Sequence, residues 1–230
     1  MKIGSWKKHG FEFLSIFIAV ISAFALNNWN DNRRDNKSEQ KILREISNGL
    51  VKDLEDVRGN ESGHKLGISA CHYFKNILTD KPVDIDSLGI YYFIVTRDFV
   101  SIQNVAGYET LKSQGLELIE NDSLRLDIIS LYEYDYQTLR KLEEEYSEIQ
   151  FNENYFKEIN QNLAPHFQFD VEQNINGIDL PLNLPTEQKK ILLSYLLKIQ
   201  KNRNFILQSY AQVSKNINKV LGKINAELSE

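Results

Sequence analysis

Apolar positions fall along this chain in two regimes: one unbroken run near the start, then long stripes at helical spacing. Between Phe13 and Leu26 nothing is charged, and the only polar side chains are Ser15 and Ser22. Extended to Phe11 and Trp29, the run has roughly 19 residues, close to the ~20 that a helix needs to cross a bilayer core. Beyond it, Ile42 or Leu43, Ile46, Leu50, Leu54 and Val57 recur every three or four positions, which is one face of a helix. Gly59, Gly63 and Gly67 then weaken the pattern, each by up to ~1 kcal/mol relative to Ala, and predict a kink or break near Arg58 to Gly63. The stripe resumes at Leu66 or Gly67, Ala70 or Cys71, Phe74 and Leu78 and stops at Asp80-Lys81-Pro82.

Asp84 to Gly115 predicts short helices, one carrying Leu88, Tyr91, Tyr92 and Val95 and one over Val105 to Gln114 with Gly115 as its stop. Asn121-Asp122-Ser123 is a good N-cap cluster. From it a stripe runs through Leu124, Ile128, Leu131, Asp135, Leu139, Leu142, Tyr146, Ile149, Phe156 and Leu163, predicting one helix of about 60 Å. His166 to Pro185 has no stripe and predicts an extended segment or short hairpin. The last stripe is the cleanest: Leu192 or Leu193, Leu196, Ile199, Arg203, Ile206, Tyr210, Val213, Ile217, Val220 or Leu221, Ile224 and Leu228.

Helices with one apolar face each can bury those faces only against one another. The expected fold is therefore all-α: a short basic tail (1–10), a transmembrane helix (11–29), then an elongated antiparallel, coiled-coil-like bundle (30–230). Its long helices cover about 36–79, 122–163 and 187–228, and the short helices within 84–115 cap one end.

Composition narrows the function classes. The net charge is −5, from 27 basic and 32 acidic residues, with no basic block, so nucleic acid is not an expected partner. The single cysteine, Cys71, excludes an internal disulfide framework.

The flanks support a span. Trp6 and Trp29, the only tryptophans, stand on either side, with Asn28 beside Trp29, where polar and amphipathic side chains favour the headgroup zone. Lys7 and Lys8 precede the run, and Arg33 and Arg34 follow it. Glu12 belongs to the first turn near the interface, favoured by the helix dipole and within reach of Lys8. A cleaved signal peptide ending at Ala23-Phe24-Ala25 is the competing reading, against which Glu12 interrupts the apolar start. Ser15, Ala19 and Ala23, broadened by Ser22, form a small-residue ridge that lets helix backbones approach, so a homo-oligomer or a partner membrane protein joins the lipid bilayer as an expected partner.

Candidates for chemistry are few. Glu61-x-x-His64 has the spacing of half a di-iron site, but without a second copy both residues are expected on the polar surface. Cys71 and His72 point about 100° apart on a helix, and are expected as a core thiol and a partly exposed imidazole. Glu143-Glu144-Glu145 with Glu148 is expected to be a solvated face. Tyr132, Tyr134 and Tyr136 either edge the core or line a groove. No catalytic set, cofactor site or metal site emerges.

The span running into Leu26-Asn27-Asn28-Trp29-Asn30-Asp31, with Glu12 near its start, resembles a family of small uncharacterised bacterial membrane proteins. Tyr108-Glu109-Thr110-Leu111-Lys112-Ser113-Gln114-Gly115, followed by Asn121-Asp122-Ser123-Leu124-Arg125, is similar to a recurring block of that family. The resemblance implies a retained anchor in a bacterial inner membrane and says nothing about chemistry. Basic residues flank both sides of the span, yet long domains translocate regardless of charge, so the bundle is expected in the periplasm. The expected function is a scaffold, sensor-like or interaction module, and the alternative is a membrane-associated enzyme or toxin-like effector.

Overall fold

A computed structural model describes residues 3–229, with side chains from Gly10 onward. The first helix, α1, runs Ile3–Leu78 without interruption. Its 76 residues, at 1.5 Å each, reach about 114 Å. Residues 3–10, expected as a tail, are already helical, and near Arg58, where a kink or break is expected, the helix is unbroken.

Four legs make up the bundle. α1 is the ascending one. The second leg comprises α2 (Leu88–Val95), an irregular strap (96–105) and α3 (Ala106–Gln114). It does not cap one end, as the sequence suggests, but runs down the bundled part of α1. Near the top the Tyr73 and Tyr91 rings sit 4.9 Å apart, and Asp53 and Asp56 hold the strap at mid-height. Near the bottom, Gly107 of α3 lies so close to α1 that a Cβ there would sit 2.9 Å from the Ile46 nitrogen. Gly115 ends α3 at φ 104°, in the left-handed region that favours glycine.

The third leg ascends through α4 (Asp122–Ser130), α5 (Tyr136–Glu144) and α6 (Lys157–Leu163). A hairpin follows, β1 (Phe167–Phe169) against β2 (Ile175–Ile178), within the segment expected to be extended or a short hairpin. The fourth leg, α7 (Thr186–Glu227), descends antiparallel to α1, with Lys75 meeting Gln200 and His64 meeting Arg203.

α7 buries Leu192, Leu196, Ile199, Arg203, Ile206, Tyr210, Val213, Ile217, Val220 and Ile224. The strict alternation of four and three is a heptad seam, as its sequence stripe predicts. The third leg departs from its predicted single helix three times, at two π-turns, the second over Asn152–Phe156, and at a break between them. At Leu131–Asp135 a π-turn carries the Tyr136 N–H back to Leu131 O, five residues away. The extra residue shifts the register, so Leu131 and Tyr132 both face inward and Tyr136, Leu139 and Glu143 follow, while Asp135 and Leu142 are only half-buried. The helix then stops at Glu145 and restarts after a 3₁₀ turn at Ser147–Ile149. Side-chain amides take up the freed carbonyls: Gln150 donates to Glu143 O, Asn202 to Glu148 O, and Asn154 to Gln150 O. The restart is capped from another leg. The Asp98 carboxylate accepts from the backbone N–H groups of Phe151 (2.7 Å) and Asn152 (3.3 Å).

Candidate functional site

The strap is the unusual element, because a connection running through a bundle brings peptide groups that no helix satisfies. Side chains of the other three legs supply the missing partners. On the N–H side, Glu143 accepts from Ser101 (3.2 Å), Asp56 from Ile102 (2.9 Å) and Asp53 from Asn104 (2.7 Å). On the carbonyl side, one Arg203 nitrogen, Nη2, donates to Ile94 O, Val95 O and Arg97 O at 3.3, 3.2 and 2.8 Å. The carboxylates are themselves braced. Tyr136 donates to Asp53 (2.7 Å), and Glu143 accepts from the hydroxyls of Tyr210 and Ser101. Gln103 donates to Ser101 Oγ (2.8 Å) and accepts from Arg140 (3.3 Å).

Arg203 is fully buried among these groups, its guanidinium 4.3 Å from the Phe151 ring centroid and 5.6 Å from that of Phe99. Its other terminal nitrogen lies 3.1 Å from His64 Nδ1. Arginine has no acceptor, so His64 Nδ1 must accept and the imidazole must be neutral. Burial and the neighbouring guanidinium agree, holding the His64 pKa down to about 3. Burial pulls Arg203 down to about 10, which leaves it charged at neutral pH. Burial raises Asp53 and Glu143 above the usual carboxylate values, against the lowering effect of their hydrogen bonds. It also pushes the Cys71 thiol up to about 11, away from the reactive thiolate.

Two glycines of α1 make the layer possible. A Cβ at Gly67 would lie 2.5 Å from the Arg203 guanidinium carbon, and one at Gly63 would collide with the Phe99 ring. At these two positions glycine is space for a neighbour rather than a weak point in the helix. Gly59 meets nothing and has no such role.

Several expectations change here. His64 is not a surface residue but is sealed by the rings of Phe99, Phe151 and Tyr210. Glu61 turns away from it to Lys65, at 2.6 Å. Glu143 leaves the expected solvated run and is only 3% exposed, while Glu144, Glu145 and Glu148 remain outside. Cys71 is buried and His72 exposed, as expected. Tyr132 and Tyr136 join the core and Tyr134 stays out. No group of three or more metal-ligating side chains occurs among the described residues.

Among the described side chains, the structure brings none of the span's candidate residues against another leg. Ser15, Ala19, Ser22 and Ala23 lie on an exposed stretch of α1, as do Glu12, Asn28 and Trp29. The Ser15 hydroxyl donates to Glu12 O (2.9 Å), and Arg33 lies 5.7 Å from the Trp29 ring centroid. The Trp6 side chain is outside the described ones. The helix holding these residues is long and apolar enough to cross a membrane, and its apolar window buries nothing.

A pocket of about 460 Å³ opens beside the polar layer, lined by Tyr92, Phe93, Arg97, Asp98, Asn152 and Phe156. Sequence reasoning passes over it because its residues come from three segments with no shared spacing. The chain matches no family model, no curated protein and no solved structure.

Proposed function

We propose that the chain is a single-pass membrane protein whose bundle acts as a scaffold or sensor-like interaction module rather than as an enzyme. One observation carries this reading: α1 passes without a break from an exposed apolar segment into the core of the bundle. Exposed phenylalanine, isoleucine and leucine side chains over Phe11 to Leu26 suit lipid and would be costly in water. The residues facing inward at mid-bundle are engaged in bracing a strap, which supports a binding or scaffolding role. On this reading the span sits in a bacterial inner membrane with its N-terminus inside and the bundle in the periplasm. The ridge of Ser15, Ala19, Ser22 and Ala23 is the surface for a second copy or another protein's span.

The test is fractionation. Membranes extracted with alkaline carbonate should retain the chain, and its intact mass should include the first 25 residues. Protease added to spheroplasts should remove the bundle. Recovery of a shortened, soluble chain would overturn the anchor, and protection of the bundle would reverse its orientation. Ala19→Leu should reduce oligomer size in mild detergent.

A further inference from the structure

We propose that the pocket beside the strap binds a small zwitterion with an apolar body, that is, a free α-amino acid with a large side chain or a short peptide beginning with one. The proposal deepens the sensor-like reading and rests on it only for what the bound ligand would do.

Three aromatic residues and two opposite charges define the site. Tyr92 and Phe93 project from α2, and Phe156 comes from the restart of the third leg, with the Tyr92 ring centroid 5.5 Å from Phe93 and 6.5 Å from Phe156. Phe93 is 68% exposed and Phe156 40%, so two apolar rings stand in water where a ligand would cover them. The strap contributes Arg97 and Asp98 side by side. Among the described residues neither forms a salt bridge, although such pairs are common elsewhere on the bundle; the buried Arg203 guanidinium attracts the Asp98 carboxylate from behind the strap without pairing with it directly. Arg97 lies only over the Phe99 ring, at 5.9 Å. Each Asp98 oxygen accepts one backbone N–H and keeps a second lone pair.

Charge complementarity decides the ligand class. A simple amine would satisfy Asp98 but face the Arg97 guanidinium, and a simple carboxylate would do the reverse. A molecule carrying both an ammonium and a carboxylate meets both groups, and its apolar part meets the rings. At about 460 Å³ the pocket is of small-molecule size, too small for a folded partner.

The position links occupancy to the bundle. Asp98 caps the restart at Phe151, and the Arg97 carbonyl accepts from Arg203, which contacts His64 on α1. A ligand drawn onto Arg97 and Asp98 therefore pulls on groups that join the second, third and fourth legs to the helix of the span.

Isothermal titration of the full-length chain in detergent or nanodiscs tests this with L-phenylalanine, the Phe-Phe dipeptide, phenethylamine and 3-phenylpropionate. Phenylalanine or the dipeptide should bind saturably, and whichever binds tighter identifies the source. Both singly charged analogues should bind at least about tenfold more weakly. Phe93→Ala and Arg97→Gln should each weaken binding by about tenfold or more with an unchanged thermal transition. Three results would overturn the proposal: no saturable binding of any probe up to about 10 mM, phenethylamine binding as tightly as phenylalanine, or full binding by both variants. Failure here with the chain still retained in membranes removes the ligand and leaves the anchored module standing.

Discussion

Gly59 and Gly67 lie on the same helix eight residues apart, and replacing each by alanine should move stability in opposite directions. Propensity alone makes both changes favourable, by up to ~1 kcal/mol, because glycine loses more backbone entropy on folding. At Gly59 a new Cβ meets nothing within 4 Å, so the gain stands unopposed. At Gly67 it would sit 2.5 Å from both the Nε and the guanidinium carbon of Arg203. A free arginine would swing aside, but this one is held by three carbonyls, His64 and the Phe151 ring. Overpacking costs about 1–3 kcal/mol, and loss of one hydrogen bond from a charged group costs a further ~1.5–3. Less the propensity gain, Gly67→Ala should lose about 1.5–5 kcal/mol. For a bundle of this size each kcal/mol moves Tm by about 2–4 °C, so Gly59→Ala should melt a few degrees higher and Gly67→Ala about 3–20 °C lower. Circular dichroism melts of the two variants in one detergent decide it. If Gly67→Ala melts at or above Gly59→Ala, Arg203 is not fixed as described.

Three further outcomes follow from the same layer. His64 has its pKa lowered to about 3 from 6.5, so the stability it contributes is complete above pH 6.5 and is lost as pH falls towards 3. His64→Gln, which keeps an acceptor for Arg203, should flatten chemical-denaturation stability over that window by up to about 1.4 kcal/mol per pH unit. Asp53 and Glu143, raised by burial, gain stability as pH falls through their folded values, but they are common to both proteins and cancel in the difference. Tyr210→Phe removes a donor to buried Glu143 and should cost about 1–3 kcal/mol in urea unfolding, with an unchanged m-value. Asp98→Ala removes the cap on Phe151 and Asn152 and should cost about 0.5–2 kcal/mol, with hydrogen-exchange protection falling first over 151–163; uniform loss across the bundle would contradict a local cap.

The legs differ in how far their sequences reveal them. α7 is legible almost residue by residue because every inward position lies on one heptad seam, Arg203 included. The third leg is not, since a π-turn has no composition signature and one inserted residue moves the inward face from Asp135 to Tyr136. Its second break depends on Asp98, fifty-odd residues upstream, and no local pattern announces a cap supplied by another leg. The same limit hides the polar layer. Glycine in a helix reads as weakness until the neighbour needing the space is known, and His64 reads as surface until Arg203 is seen beside it. The hint lay in Arg203 itself, an arginine on the inward stripe of α7, which must find acceptors among the facing legs.

A helix without a hinge also has a phase. At about 100° per residue, Ser15, Ala19 and Ala23 point roughly opposite to Ile42, Ile46 and Leu50, the inward face of the same helix. The small-residue ridge and the solvent side of α1, where Arg44, Asn48, Glu55 and Gly59 are exposed, therefore share one azimuth. Two spans meeting along the ridge would set their bundles back to back, each with its strap and pocket turned outward. One residue inserted between Asn30 and Asn36 would rotate that arrangement by about 100°, and seven would nearly restore it.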